Sequence, residues 1–172
     1  DYAVVPTEWQ RRQFPKEYQK KLNIIFDGID RTFFKKSTKK WEGEEISLRN
    51  RDTNEKIEIE RGKKIISYAT RGMEPLRGFT EFMRTLPILL SEIPELVAVI
   101  AGADRRAYSY NAPRKDGSWK NFMLDELKGK MDQERVYFTG LLDYEDYRKL
   151  LWRSDLHCYF TRPYVTSWSL FE

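Results

Sequence analysis

Two arginines in the first half of the chain have the type and spacing to bind a pyrophosphate. Arg71 and Arg77 lie six residues apart in the segment KKIISYATRGMEPLRGF, which spans residues 63–79. Each guanidinium presents a planar fork of N–H donors that suits phosphate oxygens, and two of them could hold a diphosphate from both sides. The interpretation is not unique, because a plain strand-to-helix turn with two solvated arginines would have the same sequence.

A strand and a helix must position these arginines. The run from Ile65 to Thr70 is apolar and rich in β-branched residues, which predicts a strand buried on both faces. From Phe79 to Leu90, apolar residues recur three and four positions apart, which predicts a helix packed on a sheet and bent near Pro87. The loop between them therefore joins a strand end to a helix start, where unpaired N–H groups favour an anion.

The alternation of strand and helix continues along the rest of the chain. Further strands are predicted at 96–101, 136–139 and 156–160, and helices at 119–131 and 143–153. This order predicts an α/β fold: a Rossmann-like, doubly wound parallel sheet with helices on both faces. Ligands of such sheets bind at the carboxyl ends of the strands. A polar loop at 103–118 lies at one of those ends, and loops of this length are usually functional or mobile.

The residues around this core predict further parts. Residues 1–21 include a helix start with Thr7 as its N-cap and are predicted to be the end of a preceding domain or an interdomain helix. The remainder, residues 22–172, is predicted to be the Rossmann-like domain, with a first strand at 22–26. Alternating apolar and polar residues at about 44–60 predict an inserted β-hairpin. The last residues begin a helical pattern without a stop signal, so the domain is expected to be incomplete at its C-terminus.

Composition argues against several kinds of site. A single cysteine, Cys158, excludes an internal disulfide and a cysteine-based zinc site, and a single histidine, His157, argues against a histidine-ligated metal centre. Both lie in a buried strand pattern, which favours an inert thiol and a core histidine over catalytic groups. No Gly-x-Gly-x-x-Gly follows a strand and no Gly-Lys-Ser/Thr occurs, which argues against a dinucleotide or P-loop site. The net charge of +4 suits a phosphorylated ligand or an acidic partner.

Five segments together resemble a known enzyme family. In chain order they are FDGID, YATRGMEPLRGF, VIAGAD, VYFTGLLDYEDYRKLLWRSDLHCYF and SWSLFE. The series is similar to the C-terminal half of retaining, two-domain, nucleotide-sugar glycosyltransferases of the group 1 family, and the likeness begins at about Pro6. It implies a truncated chain: a Rossmann-like domain that binds the nucleotide-sugar donor, without the N-terminal domain that binds the acceptor. The Arg-Gly-x5-Gly pattern and the Gly117-Ser118-Trp119 end of the long loop resemble a subgroup of bacterial polysaccharide synthesis.

The resemblance assigns roles to the residues that match the family's motifs. It assigns Arg71 and Arg77 to the donor diphosphate, where they would be catalytic by stabilising the leaving group; arginine replaces the family's lysine at the second position. It assigns Glu172 to the ribose hydroxyls, as the second carboxylate of the family's Glu-x7-Glu motif. Tyr164 stands where the first glutamate would be. The other donor-binding residues that it implies are Gly140 and Leu141 at the base, and Ser167, Trp168 and Ser169 at the phosphates.

The function implied by the resemblance is transfer of a sugar from a nucleotide-diphosphate sugar to a glycan or lipid-linked acceptor. The complete protein would be a retaining glycosyltransferase of bacterial polysaccharide synthesis, and these 172 residues alone would be inactive. No cofactor and no metal are expected, because the chain contains no Asp-x-Asp. The expected partners are the donor and the acceptor, without nucleic acid. No signal or membrane span is present in these residues, which favours a cytoplasmic protein, with peripheral contact to the inner face of the membrane as an addition.

Two other functions stay open at this point. The first is a non-catalytic module that binds a nucleotide or, with less support, RNA. The second is a sugar-nucleotide epimerase of the same architecture. The lysines at 35, 36, 39 and 40 fit a solvated face better than a surface for lipid or nucleic acid. Glu74, between the two arginines, is predicted to be a structural ion-pair partner.

Overall fold

A computed structural model of the chain describes residues 1–162 and 167–172. These residues form two compact units, and each is described by itself. Residues 36–162 make up the larger unit, and residues 1–35 with 167–172 make up the smaller. The division predicted from the sequence, between residues 21 and 22, stays a prediction.

The smaller unit contains a two-stranded parallel sheet. Strand β1 (Ala3–Val5) pairs with β2 (Leu22–Ile24), and the helices α1 (Glu8–Arg12) and α2 (Lys16–Gln19) connect them. Thr7 caps α1 as predicted, since its hydroxyl oxygen accepts a hydrogen bond from the Gln10 N–H at 3.2 Å. Because β2 pairs with β1, the strand predicted at 22–26 is shorter than expected and belongs to a separate small sheet.

The described C-terminal residues form a 3₁₀ turn of the same unit. The turn, Trp168–Leu170, is only three residues long, whereas the sequence predicted the start of an α-helix. The Trp168 indole donates a hydrogen bond to the Asp27 carboxylate at 2.9 Å. The rings of Phe26 and Phe171 meet edge-on with centroids 4.8 Å apart. Aromatic packing within the unit therefore holds this turn.

The predicted β-hairpin is confirmed in the larger unit. Strands β3 (Ile46–Arg49) and β4 (Lys56–Ile59) pair in antiparallel register. Ile46, Leu48 and Ile59 are buried, while the residues between them are more exposed, as the alternation of apolar and polar residues requires.

Four parallel strands form the sheet of the larger unit. They are β5 (Lys64–Gly72), β6 (Leu96–Ala103), β7 (Val136–Gly140) and β8 (Leu156–Cys158). Across the sheet their order is β7-β6-β5-β8. In chain order these are the third, second, first and fourth strands, so the winding reverses between β5 and β8. This is the order of a doubly wound sheet, and the predicted fold class is confirmed.

Helices cover both faces of this sheet. They are α3 (Phe79–Glu92), α4 (Trp119–Glu126) and α5 (Tyr144–Arg153). Ile66, Ile100 and the other side chains of one face pack in a core with α3 and α4. Ile65, Val99 and the side chains of the opposite face pack with Leu150 of α5 and with the hairpin. The hairpin thus shares with α5 the face that the other two helices leave open.

Several element ends differ from the sequence prediction. β5 continues beyond Thr70 to Gly72 through an irregular register against β6. Helix α3 continues past Pro87 to Glu92. Helix α4 ends at Glu126 rather than residue 131, and Gly129 in the turn that follows has a φ of 74°, which favours glycine. β8 ends at residue 158 rather than 160.

A buried guanidinium connects the hairpin to the sheet. The side chain of Arg153 is fully buried at the end of α5. It donates hydrogen bonds to the carbonyl oxygens of Glu44 and Lys63. It also donates to the Asp155 carboxylate at 3.1 Å, and that carboxylate accepts from the Ile65 N–H at 2.7 Å. One side chain therefore joins the chain before β3, the start of β5 and the turn before β8.

We predict that Arg153→Lys lowers the free energy of unfolding by roughly 2–4 kcal/mol. A lysine ammonium cannot reproduce the planar fork, so at least one buried acceptor would lose its donor. Urea denaturation of the variant and the parent protein measures the difference. The matched control is Arg61→Lys, because Arg61 bonds the Glu44 carboxylate on the exposed surface at 3.1 and 3.2 Å. The control should cost less than about 1 kcal/mol, and equal losses in the two variants would contradict the prediction.

Candidate functional site

Both arginines predicted to bind a diphosphate lie at the carboxyl edge of the sheet. Arg71 is the penultimate residue of β5, and it is exposed. Arg77 ends a 3₁₀ turn, Pro75–Arg77, that stands just before α3. β5 is one of the two strands between which the winding reverses. Doubly wound sheets bind ligands at this position, outside the carboxyl ends of the strands.

Two contacts fix the turn that contains Arg77. The phenol of Tyr68, buried in β5, donates a hydrogen bond to the Arg77 carbonyl oxygen at 2.7 Å. Burial raises the pKa of Tyr68, so the phenol stays protonated as a donor. Gly78 follows with a φ of 72°, and a Cβ at this position would lie 2.3 Å from the Cβ of Phe160. The turn therefore requires glycine both for its backbone angle and for the close approach of the chain after β8.

Tyr108, in the long loop after β6, contacts both arginine side chains. Its hydroxyl accepts a hydrogen bond from Nη1 of Arg71 at 3.2 Å. The guanidinium carbon of Arg77 lies 5.1 Å from the centroid of the Tyr108 ring, within the range of a cation–π contact. The structure therefore brings both guanidiniums into contact with one aromatic side chain.

A buried carboxylate holds the loop that contains Tyr108. Glu74 is fully buried and accepts hydrogen bonds from three successive backbone N–H groups of this loop. The distances are 2.7 Å from Ala107, 2.9 Å from Tyr108 and 2.9 Å from Ser109. Consecutive N–H groups that converge in this way form an anion-binding concavity, and the carboxylate fills it. Glu74 is thus structural, as predicted, but the partners that fix the loop are backbone amides rather than a cation.

A polar cavity of about 300 Å³ lies beside the same loop at the carboxyl end of β6. Its lining includes Asp104, Arg105, Arg106, Asn111, Asp116 and Asn121. The Arg114 guanidinium, the Asn121 amide and the Ser118 N–H lower the pKa of Asp116 well below its usual range. The Ser118 hydroxyl donates to Asp104 at 2.8 Å. These contacts stabilise the far end of the loop, where helix α4 begins.

The predicted base-binding residues lie at the end of β7, against the turn of the hairpin. Gly140 has a φ of 66°, and a Cβ there would lie 2.1 Å from the amide nitrogen of the Asn50 side chain. The Leu141 carbonyl accepts a hydrogen bond from the Arg51 N–H at 2.7 Å. The turn of the inserted hairpin therefore contacts the backbone at both predicted residues.

The other predicted donor-binding residues belong to the smaller unit. The hydroxyls of Ser167 and Ser169 lie 3.1 Å apart, and Trp168 contacts Asp27 as described above. The Glu172 N–H donates to the Trp168 carbonyl at 3.1 Å, which closes the turn. Tyr164 lies outside the described residues. The structure brings Ser167, Trp168, Ser169 and Glu172 together in one short turn, and it brings Arg71 and Arg77 together in the larger unit.

His157 and Cys158 lie in β8, and both side chains are half-buried. Nδ1 of His157 is 2.9 Å from the Ser67 hydroxyl oxygen, which is in turn 2.6 Å from the Ser154 hydroxyl oxygen. Burial lowers the pKa of His157 and raises the pKa of the Cys158 thiol. Both groups are therefore uncharged near neutral pH, in agreement with a structural role.

Two kinds of feature are absent from the part of the chain that the structure describes, residues 1–162 and 167–172. In this part of the chain no three His, Cys, Asp or Glu side chains are grouped so that they could hold a metal ion. None of its helices combines the length and the apolar character needed to cross a membrane.

Sequence reasoning missed two features of this site: the contacts of the Tyr108 side chain and the backbone N–H groups that bind Glu74. Glu74 and the N–H groups that it binds are 33 to 35 positions apart in the chain. No local periodicity connects them. The available signals were the length of the polar loop and the position of an acidic residue between two arginines.

Comparison with known proteins supports the fold and gives a partial family match. The family model described as "Glycosyl transferase family 4 group" matches residues 1–34, which is a minor part of the chain. No curated protein sequence matches. The crystal structure of TarM superposes with a TM-score of 0.58 and 17% identity, over 92% of this chain and 24% of the TarM chain.

Two further solved structures agree with this result. Staphylococcus aureus TarM, as a mutant in complex with fondaparinux, α-GlcNAc-glycerol and UDP, gives a TM-score of 0.56 at 15% identity, over 92% of this chain and 24% of its own. The C-terminal domain of LpcC, a glycosyl transferase group 1 family protein from Francisella tularensis, gives 0.50 at 18% identity, over 76% of this chain and 57% of its own. The larger unit has the fold of a glycosyltransferase Rossmann-like domain. The chain spans about a quarter of TarM and just over half of the LpcC domain.

We predict that the pKa of His157 in the folded protein lies below about 6.5, the value for an exposed histidine. As pH falls through that value the unfolded chain binds a proton first, so the folded state loses stability until His157 itself is protonated. His157→Asn should remove this loss, and the parent protein should therefore lose more stability than the variant between about pH 7.5 and about pH 5.

The chain contains one histidine, so a single imidazole signal in an NMR titration reports this pKa directly. Urea denaturation at the two pH values gives the stability difference. A pKa at or above the exposed value, or the same pH dependence in both proteins, would contradict the prediction.

Proposed function

We propose that this chain is the donor-binding part of a glycosyltransferase that moves a sugar from a nucleotide-diphosphate sugar to a saccharide or lipid-linked acceptor. The observation that supports it best is the convergence of Arg71 and Arg77 on Tyr108, at the edge where a doubly wound sheet binds its ligand. The family match at residues 1–34 and the fold shared with TarM and LpcC add support. TarM itself has been crystallised with UDP and saccharides.

In the proposed reaction the bond between the anomeric carbon and the β-phosphate oxygen breaks. The acceptor hydroxyl oxygen forms the new bond to that carbon with retained configuration, and its proton passes to the departing diphosphate. As the first bond breaks, negative charge develops on the departing diphosphate. Two fixed guanidiniums stabilise that charge more in the transition state than in the bound donor, which lowers the barrier. Arg71 and Arg77 are proposed for this role, and the sequence resemblance supports the same assignment.

The remaining donor contacts are proposed on the resemblance alone. Glu172 would accept hydrogen bonds from the ribose hydroxyls, because a carboxylate offers two acceptor oxygens to a diol. Ser167, Trp168 and Ser169 would lie near the phosphates, and Gly140 and Leu141 near the base. The acceptor would bind to residues outside this chain, so these residues alone would not catalyse transfer. Bacterial polysaccharide synthesis is the proposed setting.

We predict that Arg71→Ala and Arg77→Ala each weaken binding of a nucleoside diphosphate to the complete protein by about ten- to hundredfold. The reason is the loss of one charge-assisted contact to phosphate per variant. Titration calorimetry with UDP, GDP and ADP identifies the preferred diphosphate in the parent protein and then measures the variants. Arg61→Ala is the matched control, because Arg61 lies on the surface just before β5, at the opposite end of that strand. Unchanged affinity in both site variants would refute the diphosphate site.

We also predict that donor binding and transfer by the complete protein need no divalent metal. Two arginines can neutralise the diphosphate in the way that Mg²⁺ does in other enzymes. Activity toward the preferred nucleotide sugar should be the same within error in excess EDTA and in added Mg²⁺ or Mn²⁺. Activity that disappears in EDTA and returns with either metal would contradict this, whereas the arginine variants would still test the diphosphate site independently.

A further inference from the structure

Tyr108 has two different contacts with the two cations of the candidate site. We infer that Tyr108 is a positioning residue, which holds Arg71 through its hydroxyl and Arg77 through its ring so that both guanidiniums are ready for a diphosphate. This inference rests on the proposed function, because it concerns how the same site is prepared for its ligand.

The position of Tyr108 is fixed by its backbone. Its own N–H and those of both neighbours donate to the buried Glu74 carboxylate. Glu74 lies between Arg71 and Arg77 in the chain. The carboxylate that fixes the loop and the two arginines that the loop contacts therefore belong to one short segment. The backbone of Tyr108 therefore cannot move away from the arginines unless these charge-assisted bonds break.

Holding the two arginine side chains in place before the ligand binds would raise the affinity of the site. An arginine side chain has several rotatable bonds, and ordering it only when the ligand arrives costs conformational entropy and so reduces the affinity. The hydrogen bond from Arg71 to the phenol oxygen, at 3.2 Å, restricts that side chain before the ligand arrives. The ring of Tyr108, 5.1 Å from the guanidinium carbon of Arg77, restricts the second one.

The chemical nature of tyrosine matters as well. Two guanidiniums held close together at one site repel each other until an anion binds between them. A carboxylate between them would remove this repulsion, but it would also neutralise the charge that the phosphates require. A phenol oxygen and the negative face of an aromatic ring attract cations without a formal charge, so Tyr108 itself neutralises neither arginine.

The two contacts can be separated by substitution. Tyr108→Phe removes the hydroxyl and keeps the ring, whereas Tyr108→Leu removes both. Tyr110→Phe is the matched control: Tyr110 lies two residues further along the same loop, and its ring packs against Trp119 with centroids 5.7 Å apart. Calorimetry of the complete protein with its preferred nucleoside diphosphate measures each variant.

We expect Tyr108→Phe to weaken diphosphate binding about three- to tenfold, and Tyr110→Phe to leave it unchanged. In an Arg71→Ala background the effect of Tyr108→Phe should disappear, because the hydroxyl acts through Arg71. Tyr108→Leu should weaken binding by a further two- to fivefold or so relative to Tyr108→Phe, and this second step should disappear in an Arg77→Ala background. The corresponding nucleoside, which has no phosphate, should bind all these variants about equally.

Each other outcome is informative. If the parent protein binds the diphosphate through Arg71 and Arg77 but Tyr108→Phe binds equally well, the positioning role is wrong and the proposed function stands. If the loss from Tyr108→Phe persists without Arg71, the hydroxyl contacts the ligand directly or supports the fold, and the inference is again overturned. If the parent protein binds no nucleoside diphosphate, both proposals fall. Thermal unfolding identifies any leucine variant that does not fold, and the phenylalanine cycle then decides the case alone.

Discussion

The candidate site depends on one buried carboxylate, that of Glu74, which holds the loop after β6 in place. Glu74 has lost its water, and an isolated ion in that position would be costly to bury. Three backbone N–H groups of a loop more than thirty residues away replace the lost water. If the loop moved away, the Glu74 carboxylate would lose its hydrogen-bond donors or become exposed. The loop therefore stays at the carboxyl end of the sheet. The arrangement of Tyr108, Arg71 and Arg77 follows from that one ionic constraint.

The sheet gives this constraint a rigid base. β5 lies between β6 and β8 and is buried over most of its length, and it ends at the bulge that contains Arg71. The Tyr68 phenol ties the turn with Arg77 to the sheet. The close contact at Gly78 packs the same turn against the chain after β8. Arginines at a strand end and in a tight turn have little backbone freedom. Such rigidity suits a site that must stabilise developing charge.

The sequence predicts the repeating features of this molecule well and the long-range ones poorly. Runs of β-branched residues and helical spacing identified all four strands of the sheet, its helices and the hairpin, because burial on a sheet imposes a periodicity that can be read locally. The continuation of β5 to Gly72 was missed, since it depends on pairing with β6. Tyr108 was missed for a related reason: its importance comes from contacts with residues 31 and 37 positions away, and its own neighbourhood resembles any polar loop. The site assignments that rest on family resemblance stay predictions.

The contacts of Arg153 join the two ends of the segment that contains the hairpin. The carbonyl groups that this side chain binds, those of Glu44 and Lys63, stand on either side of the hairpin, so the segment leaves and rejoins the body of the domain at one point. For a segment closed in this way the entropy of closure changes slowly with length, by only about 0.6 kcal/mol for each doubling. Homologous chains can therefore vary in the length of this segment, whereas a chain that lost it would expose the side chains of the sheet and of α5 that pack against it, among them Ile65, Val99 and Leu150. Comparison of such chains should therefore align the sheet from Lys63 onward even where the lengths of this segment differ.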